Sequence, residues 1–411
     1  MKILHINCSD TGSTGKIVLS IAFESYVRGF KTVSLFPKKT RVGYQKIIEY
    51  ATSPRYEQGI NRRLCYLYGL HYGMAPVATK RILNIIRIED PDVVHLHSVN
   101  CFTVNVYKLL AYLKANNIAT VVTNHAEFFY TGSCPHAYDC EKWLTGCGNC
   151  PDLFRASESK LFDRTHTAWK KMKKAFEGFS RLHVVSVSPW VYSRSCRSPI
   201  LDGVSQSVIL NGIDTEIFLP REDQYLRENL RIARDTRVVL HVTSGFSALD
   251  TDRKGGAFLI ELAKRLEGEN VVFVVVGKGD KPQNAPCNVK FVGAVSNQKL
   301  LASYYSMADL CVVTSRRETF GMTVAEALCC GTPVVGFESG GSESIALSEY
   351  SEFVSFGRVD DLEKIIREKW INIKDQEFSE ALSEKAKDFY SDEVMGGKYC
   401  DLYSELFKEE R

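Results

Sequence analysis

Short apolar runs alternate along this chain with longer segments of helical period. Ile3 to Asn7, Thr32 to Phe36, Asp92 to His97, Ala119 to Asn124, Leu182 to Ser188 and Ser207 to Leu210 read as buried strands of a first half. Arg237 to Val242, Val271 to Val276, Leu310 to Val313 and Val334 to Phe337 read as those of a second. Between them, Lys80 to Glu89, Phe102 to Ala115, Thr165 to Phe179 and Met322 to Cys330 carry helix patterns. Alternating strand and helix predicts an α/β protein with parallel sheets. The expected architecture is two doubly wound Rossmann-like domains facing a central cleft. Polar residues 219–236 predict the link between them. Further helices are expected over Asp361–Trp370, Phe378–Tyr390 and about Glu393–Phe407.

A chain of 411 residues makes two domains the default. No run approaches the ~18 apolar residues of a membrane-crossing helix. Lys2 to Ile6 reads as a first strand and not as a signal peptide, because no long apolar stretch follows. These points imply a cytoplasmic protein, with thirteen cysteines mostly reduced.

The net charge of +3 conceals an asymmetry. Residues 1–212 carry +12 and residues 213–411 carry −9. A basic first half suits an anionic partner, or peripheral contact with an anionic membrane at the inner face of the plasma membrane. Thr165 to Phe179, with Lys170, Lys171, Lys173 and Lys174, predicts a basic amphipathic helix that rests on such a surface or packs with a solvated face. No module interleaves basic and aromatic residues as nucleic-acid binding requires, so nucleic acid is not an expected partner.

The candidate chemistry centres on residues 310–341. Gly321 permits close backbone approach. The amides of Phe320, Gly321, Met322 and Thr323 are the unpaired donors of a helix start and favour a phosphate. Glu318 and Glu326 can each accept hydrogen bonds from a sugar or ribose diol. Near the N-terminus, Gly12 and Gly15 lie in the turn after the first strand. This turn is not a P-loop, since Asp10 stands where the first glycine should be and Ile17 where a metal-binding Ser or Thr should be.

Glu318, the seven residues after it, and Glu326, with Gly331-Thr-Pro-Val-Val and Gly340-Gly341, resemble the signature of the family-four retaining glycosyltransferases. These are enzymes of GT-B fold, including those that build bacterial cell-surface polysaccharides. The resemblance implies that Glu318 contacts the donor sugar, Glu326 the ribose, and the amides at 320–323 the phosphate. It implies that Lys254 neutralises the leaving diphosphate, a role that Arg253 shares only if it replaces the family's usual, more distant arginine. It implies further that His125, at a strand end, contacts the donor sugar, and that Gly12 and Gly15 face the diphosphate. Asn211-Gly-Ile-Asp214 is similar to the family's hinge. The implied domains are an acceptor-side 1–212, a nucleotide-sugar-binding 213–390, and a terminal helix, 391–411, crossing back. The donor would be a UDP-sugar, or a GDP-sugar. The acceptor would be a glycan or polyprenyl-diphosphate-linked saccharide. Lys254 and helix amides would serve where other transferases use a metal. A GT-B epimerase without an acceptor, and a non-catalytic sugar-binding subunit, are alternative readings.

Two stretches stand apart. Residues 38–75, with Arg41, Arg55, Arg62, Arg63 and many tyrosines, predict loops and a helix. Cys134, Cys140, Cys147 and Cys150 crowd one insertion, 131–153, ending in a C-x2-C knuckle. Four thiolates there suit a structural zinc ion. Free thiols and disulfides are the alternatives. His95 and His97, inside their strand, read as core or lining residues.

Overall fold

The computed structural model describes residues 1–40, 46–54, 56–100, 102–221 and 224–408. Arg41 and Arg55 of the tyrosine-rich stretch lie outside these residues. The chain forms two units, Met1–Leu210 with Met395–Arg411, and Asn211–Val394.

The first unit runs β1 (Lys2–Ile6), α1 (Gly12–Val27), β2 (Lys31–Phe36), β3 (Ile48–Ala51), α2 (Glu57–Tyr68), α3 (Pro76–Glu89), β4 (Val93–Leu96) and α4 (Val106–Ala115). It continues through β5 (Ala119–Asn124), α5 (Phe128–Thr131), α6 (Leu153–Ser157), α7 (Thr165–Phe176), β6 (Leu182–Ser186), α8 (Pro189–Cys196) and β7 (Ser205–Val208). Its strands form a seven-stranded sheet in the order β3-β2-β1-β4-β5-β6-β7, every pair parallel.

The second unit runs α9 (Gln224–Asn229), β8 (Arg237–Val242), α10 (Gly256–Arg265), β9 (Val271–Val276), β10 (Val289–Gly293), α11 (Gln298–Met307), β11 (Leu310–Val313) and α12 (Met322–Cys329). Then come β12 (Val334–Phe337), α13 (Gly341–Ile345), β13 (Ser351–Val354), α14 (Val359–Ile365), a π-helical turn over Ile366–Trp370, and α15 (Gln376–Tyr390). The six-stranded sheet, also parallel, has the order β10-β9-β8-β11-β12-β13. The last helix, α16 (Asp392–Lys408), belongs to the first unit from Met395 onward.

Central strands buried on both faces need continuous apolar runs. β9, Val-Val-Phe-Val-Val-Val, is buried at all six positions. Side-chain caps set several helix starts. Asn105 accepts from Lys108 N, Ser188 from Val191 N, Asn297 from Leu300 N and Asp375 from Phe378 N, each satisfying an amide without an intrahelical partner.

Two of these caps, one glycine turn and one edge strand depart from the sequence expectations. Phe102 does not open α4: its φ is +59°, and the helix waits for the Asn105 cap. α7 stops at Phe176, before Gly178 turns left-handed at φ +66°. Ser188 does not extend β6, because it caps α8 ahead of Pro189. The fourth is β3, which was not expected: a short edge strand with two exposed ends and no apolar run to mark it. In α7, Ala168, Trp169, Met172, Ala175 and Phe176 are buried while Lys170, Lys171 and Lys174 are exposed. The apolar face is therefore used within the fold.

Candidate active site

In a doubly wound sheet, ligands sit beyond the carboxyl ends of the strands where strand order reverses. In the second unit that point lies between β8 and β11, and the residues singled out in the sequence gather beyond it. β11 ends at Val313, and the turn after it carries Glu318. α10 starts after β8, with Lys254 two residues before it. Lys254 Nζ donates to Glu318 Oε1 at 2.6 Å. Arg253 is exposed; its carbonyl accepts from Arg316 N at 2.8 Å, so its backbone helps to join the two loops.

Close packing holds this pair in place. Gly255 has φ +72°, and a Cβ there would overlap the Thr314 carbonyl. Thr314 Oγ1 donates to Lys254 O at 3.1 Å. Glu318 forms a parallel bridge with Gly340, donating its amide to Ser339 O (3.0 Å) and accepting from Gly341 N (2.8 Å). A Cβ at Gly341 would overlap Thr319 and the Phe320 amide nitrogen. Glu343, which the sequence reading missed, accepts from the amides of Ser339 (2.8 Å) and Gly340 (2.7 Å) and fixes this brace. A glutamate three residues after Gly340, at a helix start, was the available signal.

Gly321 caps α12 with φ +91°; a Cβ there would lie 2.7 Å from Ser342 Oγ. Val324 and Ala325 donate back to Gly321 O. The amides before them belong to the helix end that carries partial positive charge. Phe320 is buried, and Met322 and Thr323 are partly so. Glu326 stands one turn into α12, where its Oε2 accepts from Tyr305 OH at 2.8 Å. Tyr305, on α11, is fully buried, and both burial and the adjacent carboxylate push its phenol well above the ordinary range. It stays a neutral donor that orients Glu326. No spacing in the sequence linked the two.

In the first unit, order reverses between β1 and β4. α1 begins at Gly12, with φ +76°. A Cβ on Gly15 would lie 2.7 Å from Asp10 C, so a side chain there would force the turn open. Asp10 itself holds Thr40, accepting from its amide (2.5 Å) and hydroxyl (2.6 Å).

His125 follows β5 and is buried. His97 Nδ1 and His125 Nε2 lie 3.2 Å apart, as do His97 Nε2 and His5 Nδ1. His95 completes the group, bonded to Thr123 Oγ1 (2.7 Å) and Tyr403 OH (2.6 Å). Burial lowers His125 to about 4 and His5 to about 3. His95 and His97 are held well below the ordinary imidazole range, burial first and neighbouring histidines second. His125 is therefore a neutral imidazole. Its Nε2 tautomer is tied through His97 to His5, because each link needs one donor and one acceptor. Ligand nitrogens of His5, His95 and His97 lie within 4.8 Å of one another; both nitrogens of His95 and His97 and Nδ1 of His5 are engaged in hydrogen bonds, while His5 Nε2 has no partner.

Two residues beyond His125, Glu127 is fully buried. It accepts from Arg194 Nε (2.8 Å), Tyr130 OH (2.7 Å) and Ala137 N (2.6 Å). None of the four insertion cysteines is in a disulfide. Gly12, Gly15 and His125 belong to the first unit, while Arg253, Lys254, Glu318, Glu326 and residues 320–323 belong to the second.

Comparison with known proteins gives the family. Residues 48–217 match the model for glycosyltransferase family 4, and residues 228–389 that for group 1 glycosyl transferases. The chain is 25% identical over 332 residues to the putative colanic acid biosynthesis glycosyl transferase WcaC of Escherichia coli K12, covering 78% of each. It is 31% identical over 155 residues to a D-inositol 3-phosphate glycosyltransferase of Thermomonospora curvata, covering 33% of this chain and 36% of that protein. Among solved structures, a glycosyltransferase from Rickettsia africae superimposes with a TM-score of 0.69 at 17% identity, covering 99% of this chain and 98% of that one. Anabaena Alr3699/HepE in complex with UDP does so with 0.63 at 17% identity, covering 98% and 100%. The class is the glycosyltransferases of GT-B fold. Within it, the chain belongs to the family-four, group 1 glycosyltransferases.

Proposed function

We propose that the protein is a retaining glycosyltransferase. It takes the sugar of a nucleotide-diphosphate sugar, UDP before GDP, and transfers it to a hydroxyl of a glycan or polyprenyl-diphosphate-linked saccharide in surface-polysaccharide synthesis. The observation that carries this reading is the Lys254–Glu318 pair beside the start of α12, beyond the β8–β11 switch point.

In this reading the bond from the anomeric carbon to the diphosphate breaks, and its electron pair leaves on the diphosphate oxygen. Lys254 and the amides of Phe320 to Thr323 meet that charge, the electrostatic contribution that dominates such reactions. They serve where a metal would otherwise stand, so added Mg²⁺ or Mn²⁺ should leave turnover unchanged. Arg253 is a lesser candidate for the same charge. Glu326, oriented by Tyr305, takes the ribose diol. Glu318 takes a donor-sugar hydroxyl, and the acceptor hydroxyl attacks the oxocarbenium-like centre from the face the diphosphate left, giving its proton to the departing diphosphate oxygen. To His125 we assign donor-sugar contact, to Gly12 and Gly15 a share in the diphosphate, and to the first unit the acceptor, as the family resemblance implies.

Two relatives support the finer points. WcaC's name supports the polysaccharide role, and solved complexes of Alr3699/HepE with UDP and UDP-glucose support the donor. No helix among the described residues is long and apolar enough to cross a membrane. Peripheral contact, if the protein makes it, would rest on the lysine face of α7.

A thermal-shift screen against UDP, GDP, ADP, CMP and their sugar conjugates tests the donor site, because a ligand of the folded state raises apparent stability. One nucleotide should stand out, and the product's anomeric configuration should equal the donor's. No shift in folded protein, or an inverted product, would overturn the reading. A changed sugar without any acceptor would point to an epimerase.

A further inference from the structure

We infer that Cys134, Cys140, Cys147 and Cys150 bind one zinc ion in a closed four-thiolate site that fixes the segment following His125. All four line a single small cavity of about 20 Å³, together with Thr131 and Trp143. A space of that order holds one water or one ion, and four sulfur donors select zinc among the common divalent cations.

The backbone already presents the thiols to this space. Gly146, Cys147, Gly148 and Asn149 all have positive φ, at 116°, 57°, 99° and 46°. Two of these are not glycine, and such a run persists only where its surroundings determine it. Here they do. Lys142 O accepts from the amides of Gly146 (3.1 Å) and Cys147 (2.9 Å). Thr165 Oγ1 accepts from Gly148 N (3.0 Å), Asp163 Oδ2 from Cys150 N (2.6 Å), and His166 Nδ1 meets Gly146 O at 2.7 Å. Cys140 O accepts from Trp143 Nε1 (2.8 Å), and Cys134 O from Thr131 Oγ1 (2.8 Å). Every cysteine of the set has an anchored backbone, on a loop whose sequence spacing, C-x5-C-x6-C-x2-C, brings four of them together.

Packing alone explains this set poorly. Thiols are small hydrophobes, yet these four surround a space instead of filling it. On binding a dication, each ligand thiol would give its proton to solvent and bind as thiolate. No three of the sulfurs yet lie within 4.8 Å of one another; Zn–S bonds of about 2.3 Å would draw them inward. The site is structural, with four ligands and no open position. It ties down the region after β5, where Glu127 N donates to Pro135 O (3.0 Å).

The test uses the tag-free full chain, purified without chelator. Elemental analysis should find one zinc per chain. Chelation should lower the melting temperature and open four further thiols to a thiol reagent. Cobalt(II) added to the stripped protein should give the visible and sulfur-to-metal bands of a tetrahedral thiolate site. Cys147→Ser and Cys150→Ser should lose metal, while Cys287→Ser, in the second unit, should keep it. If the serine variants fail to fold, the wild-type cobalt spectrum decides alone. Metal-free protein with reactive thiols and no cobalt bands, or an intact mass short by two or four hydrogens from disulfides, would overturn the inference.

Discussion

Lys254 Nζ lies 2.6 Å from Glu318 Oε1, so the cation assigned to the leaving group and the carboxylate assigned to the sugar hold each other beside the helix start of α12. The side chains are 24% and 20% exposed, and an ion pair this open adds at most about 1 kcal/mol to stability. Lys254→Ala should therefore lower the melting temperature slightly. Its turnover should fall by about 10²–10³-fold if it meets charge in the transition state. Glu318→Gln should keep nucleotide binding and lose turnover. Kinetics and thermal unfolding on the same preparations check both. A Lys254→Ala enzyme with normal turnover removes that residue from the diphosphate.

Glu326 accepts from buried Tyr305, which makes the pair separable by substitution. Glu326→Ala should weaken nucleotide affinity by about 1–3 kcal/mol, the loss of a charged hydrogen-bond acceptor. Tyr305→Phe keeps the ring and removes only the hydroxyl, so affinity should fall by a smaller factor while the sheet stays folded. Titration calorimetry with the nucleotide found in the screen measures both. Equal affinity in Glu326→Ala and wild type would end the ribose assignment.

Gly255 has φ +72° and no room for a Cβ against Thr314. Gly255→Ala should lose more than about 1 kcal/mol of stability, since both strain and overlap act, and nucleotide affinity should fall because Lys254 is displaced. Gly59→Ala, on α2 with nothing within 4 Å of the new methyl, should be neutral or stabilising. Thermal unfolding of the two variants side by side settles this. Comparable melting points would mean that the 254–256 turn gives way easily.

The parallel sheets were legible because central strands buried on both faces carry apolar runs: β9 is apolar at all six positions, and β5 and β8 hold Val121-Val122 and Val238 to Leu240 at their centres. Glu318, Glu326 and Lys254 were singled out because helix starts and glycines mark where an anion can be held, and because the family signature covers them; the structure brings Lys254 and Glu318 together. β3 was hidden by its half-exposed edge position. Tyr305, Glu343 and Glu127 were hidden for another reason: each acts through a partner whose register only the folded chain sets. The His125–His97–His5 chain joins three strands, since β4 lies between β1 and β5; in the sequence, His95 and His97 were readable only as buried residues.

Those histidines give the first unit an acid-sensitive core. Burial holds His71 and His125 at about 4 and His5 at about 3, against about 6.5 in an unfolded chain. Below pH 6.5 the unfolded state takes up protons that the folded state refuses, so stability falls with pH through that window and levels only near 4 and below. Above pH 7 neither state is protonated at these sites, and stability should be flat in this respect. The melting temperature should therefore hold steady from pH 8 to 7 and drop progressively between about 6.5 and 4. The catalytic consequence is separate: His125 should act as a neutral hydrogen-bonding group across the neutral range. NMR of imidazole-labelled protein should show it unprotonated at pH 5.5, with its Nε2 tautomer changed by His97→Phe. A His125 that titrates between pH 6 and 7 would mean that its ring sees water, and would remove the basis for treating the three-histidine chain as a means of setting its tautomer.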